Sequence, residues 1–162
     1  MLTTNKIRRS LAAVVATAAA SIALVTTTST AAQAAPLPAV TTFTDLATGF
    51  TLDSNWSGSV YTLGANGGNY QKWRVHPSDY GTVTLQNVAT GRCLDSNTSG
   101  HVYTLACNGG AFQKWHVLQR DYGTVVLRDL ATGFVLDSNA ARTVYTLPEN
   151  GGSYQKWVPR QG

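Results

Sequence analysis

From Thr82 to Leu85 the chain alternates polar and apolar residues, Thr-Val-Thr-Leu, and from Val102 to Leu105 it does so again, Val-Tyr-Thr-Leu. A period of two sends successive side chains to opposite faces of an extended chain, so these runs predict half-buried β-strands. Chain breakers stand between such runs: Gly91, then Asn108-Gly109-Gly110, then Asp121-Tyr122-Gly123. Runs so bounded are short strands joined by turns, and none sustains the 3.6-residue period of a helix. A different pattern opens the chain. Lys6, Arg8 and Arg9 precede an apolar run from Leu11 to Val25 broken only by Thr17 and Ser21, and Ala32-Gln33-Ala34 follows a Thr-rich stretch. A basic start, an apolar middle and a small-x-small end form the layout of a secretory signal peptide, here residues 1–34. A membrane-spanning helix needs about 20 apolar residues, more than this run provides. The expected mature chain, residues 35–162, is secreted and has no membrane segment once the signal is removed.

The strand pattern repeats. Asp45-Leu46-Ala47-Thr48-Gly49-Phe50 returns as Asp129 to Phe134, with Asn87-Val88-Ala89-Thr90-Gly91-Arg92 between them. Leu-Asp-Ser-Asn starts at Leu52, Leu94 and Leu136, Val-Tyr-Thr-Leu at Val60, Val102 and Val144, and Gln-Lys-Trp at Gln71, Gln113 and Gln155. Every offset is 42 residues, and residues 45–73 and 129–157 agree at 21 of 29 positions. Such self-similarity marks three copies of one supersecondary unit, at about 40–81, 82–123 and 124–162. Each unit holds about four strands and is too small to bury its own apolar residues. An open array of three would leave two exposed edges. Closing the array in a ring removes them, which predicts an all-β fold, a β-trefoil of twelve strands; a three-bladed propeller is the competitor, but propellers usually have four to eight blades.

Composition changes the picture in two places. Three of the twelve basic residues and none of the eight acidic ones fall in residues 1–34, which lowers the net charge of the mature chain from +4 to +1. The basic patch that nucleic acid requires is therefore not indicated. Cys93 and Cys107 both sit in the second repeat, where the other repeats have Thr51 and Ala65, or Val135 and Glu149. Two cysteines that come and go together in an exported chain predict a disulfide.

Leu-Asp, then an aromatic strand, then Gln-x-Trp, three times in register and once complete as Cys93-Leu94-Asp95, resembles the ricin B-chain lectin family, and especially its stand-alone bacterial members. The resemblance covers residues 40–158 and implies a β-trefoil that binds sugar without catalysis. It implies that Gln71, Trp73, Gln113, Trp115, Gln155 and Trp157 hold the trefoil together. The residues agree: a buried Trp offers large apolar area, and a Gln two positions earlier lies on the same strand face. Trp→Ala is expected to cost about 3–5 kcal/mol.

For sugar contact the resemblance points to Asp53, Asp95 and Asp137. A carboxylate accepts hydrogen bonds from two neighbouring hydroxyls, although Asp-Ser-Asn is also ordinary turn chemistry. Asp95→Ala is accordingly expected to leave melting near wild type. Tyr61, Tyr103 and Tyr145 are candidates for the ring that stacks on the sugar, or else pack on the barrel. The family's aromatic position is occupied here by Leu63, Leu105 and Leu147. Its Asn before Gln-x-Trp is replaced by Tyr70, Phe112 and Tyr154, and Asn66, Asn108 and Asn150 are the residues left to supply an amide. These departures leave open whether the ligand is galactose-type or another plant or microbial polysaccharide. Trp56 stands outside the Gln-x-Trp set, in the loop after Asp53, and marks the first repeat as the expected strongest site. Arg142 occupies the matching loop of the third repeat, where an acidic sugar would suit it.

His76, His101 and His116 have no histidine at their repeat equivalents, and the sequence shows no metal-ligand cluster and no phosphate loop. Asp-x-Asn echoes a calcium loop without its remaining ligands. The chain is read as a monomeric secreted lectin, not an enzyme, with no metal or other cofactor. The alternative is a β-trefoil protein binder such as a secreted protease inhibitor.

Overall fold

The predicted alternation becomes strand throughout the region that the computed structural model describes, residues 36–162. The stretch read as a signal peptide lies outside the described residues. The first repeat supplies β1 (Val40–Asp45), β2 (Thr51–Ser54), β3 (Val60–Leu63) and β4 (Trp73–Pro77). The second supplies β5 (Val83–Asn87), β6 (Cys93–Ser96), β7 (Val102–Leu105) and β8 (Trp115–Gln119). The third supplies β9 (Val125–Asp129), β10 (Val135–Ser138), β11 (Val144–Leu147) and β12 (Trp157–Gln161).

Six of these strands close a barrel. The long antiparallel pairings join one repeat to the next, β4 with β5, β8 with β9 and β12 with β1. Short pairings within repeats, β1 with β4, β5 with β8 and β9 with β12, complete the ring. The remaining strands form three hairpins, β2–β3, β6–β7 and β10–β11, each attached to the first strand of its repeat. This is a β-trefoil. Closure leaves no barrel strand as an edge, which explains how units of this size are stable together and not alone.

The core repeats as the sequence does. Phe43, Leu85 and Leu127 form one set, Leu52, Leu94 and Leu136 a second, and Trp73, Trp115 and Trp157 a third, all fully buried. Each indole N–H donates to a carbonyl 21 residues earlier, Leu52, Leu94 or Leu136, at 3.1–3.2 Å. The Trp of each Gln-x-Trp therefore joins the barrel to its own hairpin, as its core role requires.

Polar links hold repeat to repeat. Ser138 Oγ donates to Asp45 at 2.9 Å and Ser96 Oγ to Asp129 at 3.0 Å, both buried. The third such link is missing, because the second repeat has Asn87 where the others have Asp. The Asn87 amide donates instead to the Tyr70 carbonyl at 2.7 Å, and the buried Ser54 hydroxyl has no partner among the described residues.

The second repeat carries the predicted disulfide, Cys93–Cys107, with Cα atoms 5.0 Å apart. It ties the loop after β7 to the start of β6. The third repeat ties the same loop by charge: Glu149, at the position of Cys107, pairs with Arg120 at 2.6 Å and with Arg128.

Candidate functional site

Each repeat builds the same constellation where its hairpin meets the turn before Gln-x-Trp. β2 and β3 pair so that Asp53 lies opposite Tyr61, and the same register sets Asp95 opposite Tyr103 and Asp137 opposite Tyr145. A turn of 3₁₀ helix follows each hairpin, at Asn69–Gln71, Ala111–Gln113 and Ser153–Gln155, and delivers the Gln of Gln-x-Trp.

That Gln orders the site. Gln113 Oε1 accepts from the Asn108 N–H at 2.9 Å, while its Nε2 donates to the Ala106 carbonyl at 3.1 Å and to Asp95 Oδ2 at 2.7 Å. Gln155 does the same with Asn150, Pro148 and Asp137, at 2.8, 3.1 and 2.9 Å. Gln71 holds the Asn66 N–H and the Gly64 carbonyl at 2.9 and 3.0 Å. One side chain thus closes a loop and, in the second and third repeats, fixes a carboxylate oxygen.

The three carboxylates sit deep. Asp53, Asp95 and Asp137 are only 2–4% exposed. Burial raises their pKa above the ordinary carboxylate value, against the opposing pull of the Gln71, Gln113 and Gln155 amides. The Asp129 charge adds to the upward push on Asp95, and the Asp45 charge to that on Asp137. Gln113 donates to Asp95 inside the protein, so the structure sets against the expectation of an unchanged melt for Asp95→Ala the expectation of a lower one.

The tyrosines cover these carboxylates. Tyr61, Tyr103 and Tyr145 are half-buried, and the Tyr103 and Tyr145 hydroxyls donate to the Ser96 and Ser138 carbonyls at 3.0 Å. Burial, followed by the facing Asp charge, raises the pKa of all three phenols. Tyr70 and Tyr154 stand near enough to Tyr61 and Tyr145 to add to that rise, and both are exposed. These aromatics, with Phe112 at the matching place, belong to the constellation, although the sequence presented them only as departures from a family pattern. Their recurrence as an aromatic in all three repeats was the available signal.

Asn66, Asn108 and Asn150 lie on the exposed rim. Each turns its carbonyl oxygen back to the N–H two residues on, Gly68, Gly110 or Gly152, at 2.7 Å, which leaves the amide N–H groups for solvent or ligand. Leu105 and Leu147, at the family's aromatic position, are also exposed.

Trp56 is 61% exposed at the tip of the β2–β3 hairpin, in a turn organised by Asn55, whose Oδ1 accepts from Ser59 N–H at 3.1 Å. That tip leans on the second repeat: the Gly58 carbonyl accepts from Thr104 N–H at 2.8 Å, and Ser59 bridges to Tyr103. The hairpin tip that carries Trp56 therefore borders the second repeat through Gly58 and Ser59, a neighbour the sequence does not reveal. The tips surround a shallow basin of about 450 Å³ on the pseudo-three-fold axis, lined by Val60, Val102, Val144 and His101. Among the described residues no cluster of His, Cys, Asp and Glu could hold a metal ion.

Residues 69–157, more than half of the chain, match the family described as ricin-type beta-trefoil lectin domain-like. Solved structures of the same fold include a designed three-fold symmetric protein, ThreeFoil, at 23% identity and TM-score 0.72, covering 77% of this chain and 100% of that one. An exo-beta-1,3-galactanase from Clostridium thermocellum matches at 20% identity and TM-score 0.72 over 78% of this chain but 31% of its own. SeviL, a structure bound to asialo-GM1 saccharide, matches at 14% identity and TM-score 0.67 over 78% of this chain and 99% of its own. At these identities the likeness is one of fold.

Proposed function

The chain belongs to the ricin-type beta-trefoil lectin domain-like family, and from that premise we propose that it is a secreted, non-catalytic carbohydrate-binding protein with up to three repeat-related sites. The observation that carries the proposal is the threefold recurrence of one arrangement. A buried carboxylate faces a tyrosine across a hairpin, and the middle residue of the 3₁₀ turn that follows is aromatic, Tyr70, Phe112 or Tyr154. Asp53, Asp95 and Asp137 accept hydrogen bonds from sugar hydroxyls. Tyr61, Tyr103 and Tyr145, with Tyr70, Phe112 and Tyr154, stack on the apolar face of the ring, and Asn66, Asn108 and Asn150 donate from the rim.

One carboxylate and one or two rings bind a monosaccharide weakly, at about millimolar strength or roughly −4 kcal/mol. Three such sites on one rigid body raise avidity for a polysaccharide by about 10²–10⁴. Repetition then has a functional purpose, since no single site need be strong. Galactan and asialo-GM1 saccharide, named for two structural neighbours, are the natural first probes. The test is a glycan array on the chain from Ala35 onward, whose start is checked by intact mass of protein from culture medium. Saturable binding to a glycan class supports the proposal. Stoichiometric protease inhibition with no glycan bound would replace it, and a retained Met1 would remove the export step.

A further inference from the structure

The three hairpins interlock around the axis, and one position in that interlock breaks the symmetry. The N–H groups of Thr104 and Thr146 donate to the carbonyls of Gly58 and Gly100 at 2.8 Å, and Thr62 N–H donates to the Arg142 carbonyl at 3.1 Å. All three carbonyl-bearing residues have a left-handed backbone, with φ of 91° at Gly58, 80° at Gly100 and 70° at Arg142. Glycine is the residue suited to this conformation, and a bulky side chain there is strained. Space is short as well: a Cβ on Gly58 or Gly100 would stand 2.8 or 2.6 Å from the Thr104 or Thr146 carbonyl oxygen. The third repeat keeps an arginine where the other two have the favourable glycine.

The arginine does not sit with its own repeat. Its guanidinium lies over the Phe50 ring of the first repeat, 4.9 Å from the centroid. Thr143, the next residue, bridges to Tyr61, whose cross-strand partner is Asp53. The sequence put Arg142 with the third site; the fold carries it to the first.

The adjoining crevice between hairpins reverses the arrangement. There the tip supplies Gly58, and Arg92, at the position of Phe50, brings Nη1 within 3.3 Å of where a Gly58 Cβ would stand. The last crevice has Gly100 at the tip and Phe134 at the Phe50 position, and thus an arginine at neither place. Among the described residues neither Arg92 nor Arg142 meets a carboxylate; the ion pairs are Lys114–Asp79, Arg120–Glu149 and Arg128–Glu149.

We propose that the two arginine-bearing crevices between hairpins, Arg142 on Phe50 and Arg92 beside Gly58, recognise the carboxylate or sulfate of an acidic glycan. The inference rests on the carbohydrate-binding reading and specifies its substrate class. A guanidinium with an aromatic ring against one face keeps its edge N–H donors free, in the fork that matches a planar or tetrahedral anion. Asp53 repels an anion on the sugar that it holds. The acidic group therefore belongs to the neighbouring sugar along the chain, on the side toward Arg142. A neutral polysaccharide gains nothing from either arginine, and the third crevice is an internal control.

The experiment measures binding of the exported protein to polygalacturonate, heparin and neutral galactan at low and high salt, with Arg142→Gly, Arg92→Phe and the double variant. Acidic glycan is expected to bind about tenfold tighter than neutral glycan at low salt, with salt removing the difference. Each single variant loses part of that preference and the double variant all of it, while galactan binding persists. A gain on polygalacturonate alone assigns the crevices to carboxylate, a gain on heparin alone to sulfate, and either supports the proposal. Arg142→Gly is also expected to raise the melting temperature by about 3–5 °C, because glycine relieves the left-handed strain. A wild type that binds galactan but shows no acidic preference overturns the proposal and leaves the carbohydrate reading intact. So does Arg142→Gly melting below wild type, which would make the arginine a structural brace. Failure to bind polygalacturonate and heparin overturns the acidic-glycan proposal; the carbohydrate reading falls only with a blank glycan array.

Discussion

Asp95 separates the charge of the site from its hydrogen bonding, because Asn and Ala substitutions remove different things. Asp95 is 4% exposed and accepts 2.7 Å from Gln113 Nε2. Alanine removes that acceptor and leaves Gln113 with the Ala106 carbonyl as its remaining acceptor, so one buried N–H loses its partner. An unsatisfied buried donor costs about 1–3 kcal/mol, and relief of the carboxylate's desolvation offsets part of it. The net expectation for Asp95→Ala is a loss of about 1–2 kcal/mol, or roughly 4–8 °C in melting temperature for a domain of this size. Asparagine keeps an oxygen for Gln113 and removes the buried charge, so Asp95→Asn should melt at or above wild type at pH 7. The sign with pH follows from the raised pKa of Asp95. A raised carboxylate pKa means the folded state holds its proton more tightly than the unfolded chain. Stability from this group is thus full below the unfolded value of 3.8 and is lost as pH rises through the folded value. Calorimetric melts at pH 7 and at mildly acidic pH should show wild type gaining on Asp95→Asn as pH falls. Equal destabilisation by Asn and Ala at pH 7 would refute the reasoning, since the charge itself would then be holding the loop.

Reduction of Cys93–Cys107 should lower stability by about 3 kcal/mol in the chain-entropy picture, read as a fall in melting temperature of about 10 °C with reductant; an unchanged melt would show that the loop after β7 is held without it. The serine links should respond unequally. Ser96→Ala and Ser138→Ala remove the hydroxyl donors to Asp129 and Asp45 and should each cost about 1–3 kcal/mol. Ser54→Ala removes a hydroxyl without a partner and should fall within about 0.5 kcal/mol of wild type or above it. Three equal losses in urea titrations would mean that Ser54 has a partner of its own.

Local pattern carried most of the fold. The period-two runs at Val60, Val102 and Val144 became strands, the Gln-x-Trp tryptophans became the buried layer, and the cysteines unique to the second repeat are bridged. A perfect 42-residue offset with no insertion left closure as the way for three small units to cover their edges. What a repeat does not reveal is which neighbour its loops touch. The sequence groups Trp56 and Arg142 with the Asp of their own repeats, yet their hairpin tips lean on the next unit around the ring, because long-range pairing decides that contact. The depth of Asp53, Asp95 and Asp137 was equally hidden, since Asp-Ser-Asn reads as an exposed turn until the Gln 18 residues later is folded onto it. Tyr70, Phe112 and Tyr154 stand where the family pattern has Asn, so the sequence marks them as departures and the fold alone shows the rings beside the site.

The central claim is that three buried carboxylates, each faced by a tyrosine, bind sugar hydroxyls. The most direct test is a calorimetric titration of galactan or another array-identified glycan into wild type and into the triple variant Asp53→Asn, Asp95→Asn, Asp137→Asn. Asparagine preserves an acceptor for Gln113 and Gln155, so the variant should melt at or above wild type at pH 7 while its binding heat disappears. A folded triple variant that binds the glycan with wild-type affinity would contradict the claim and move the site elsewhere on the trefoil.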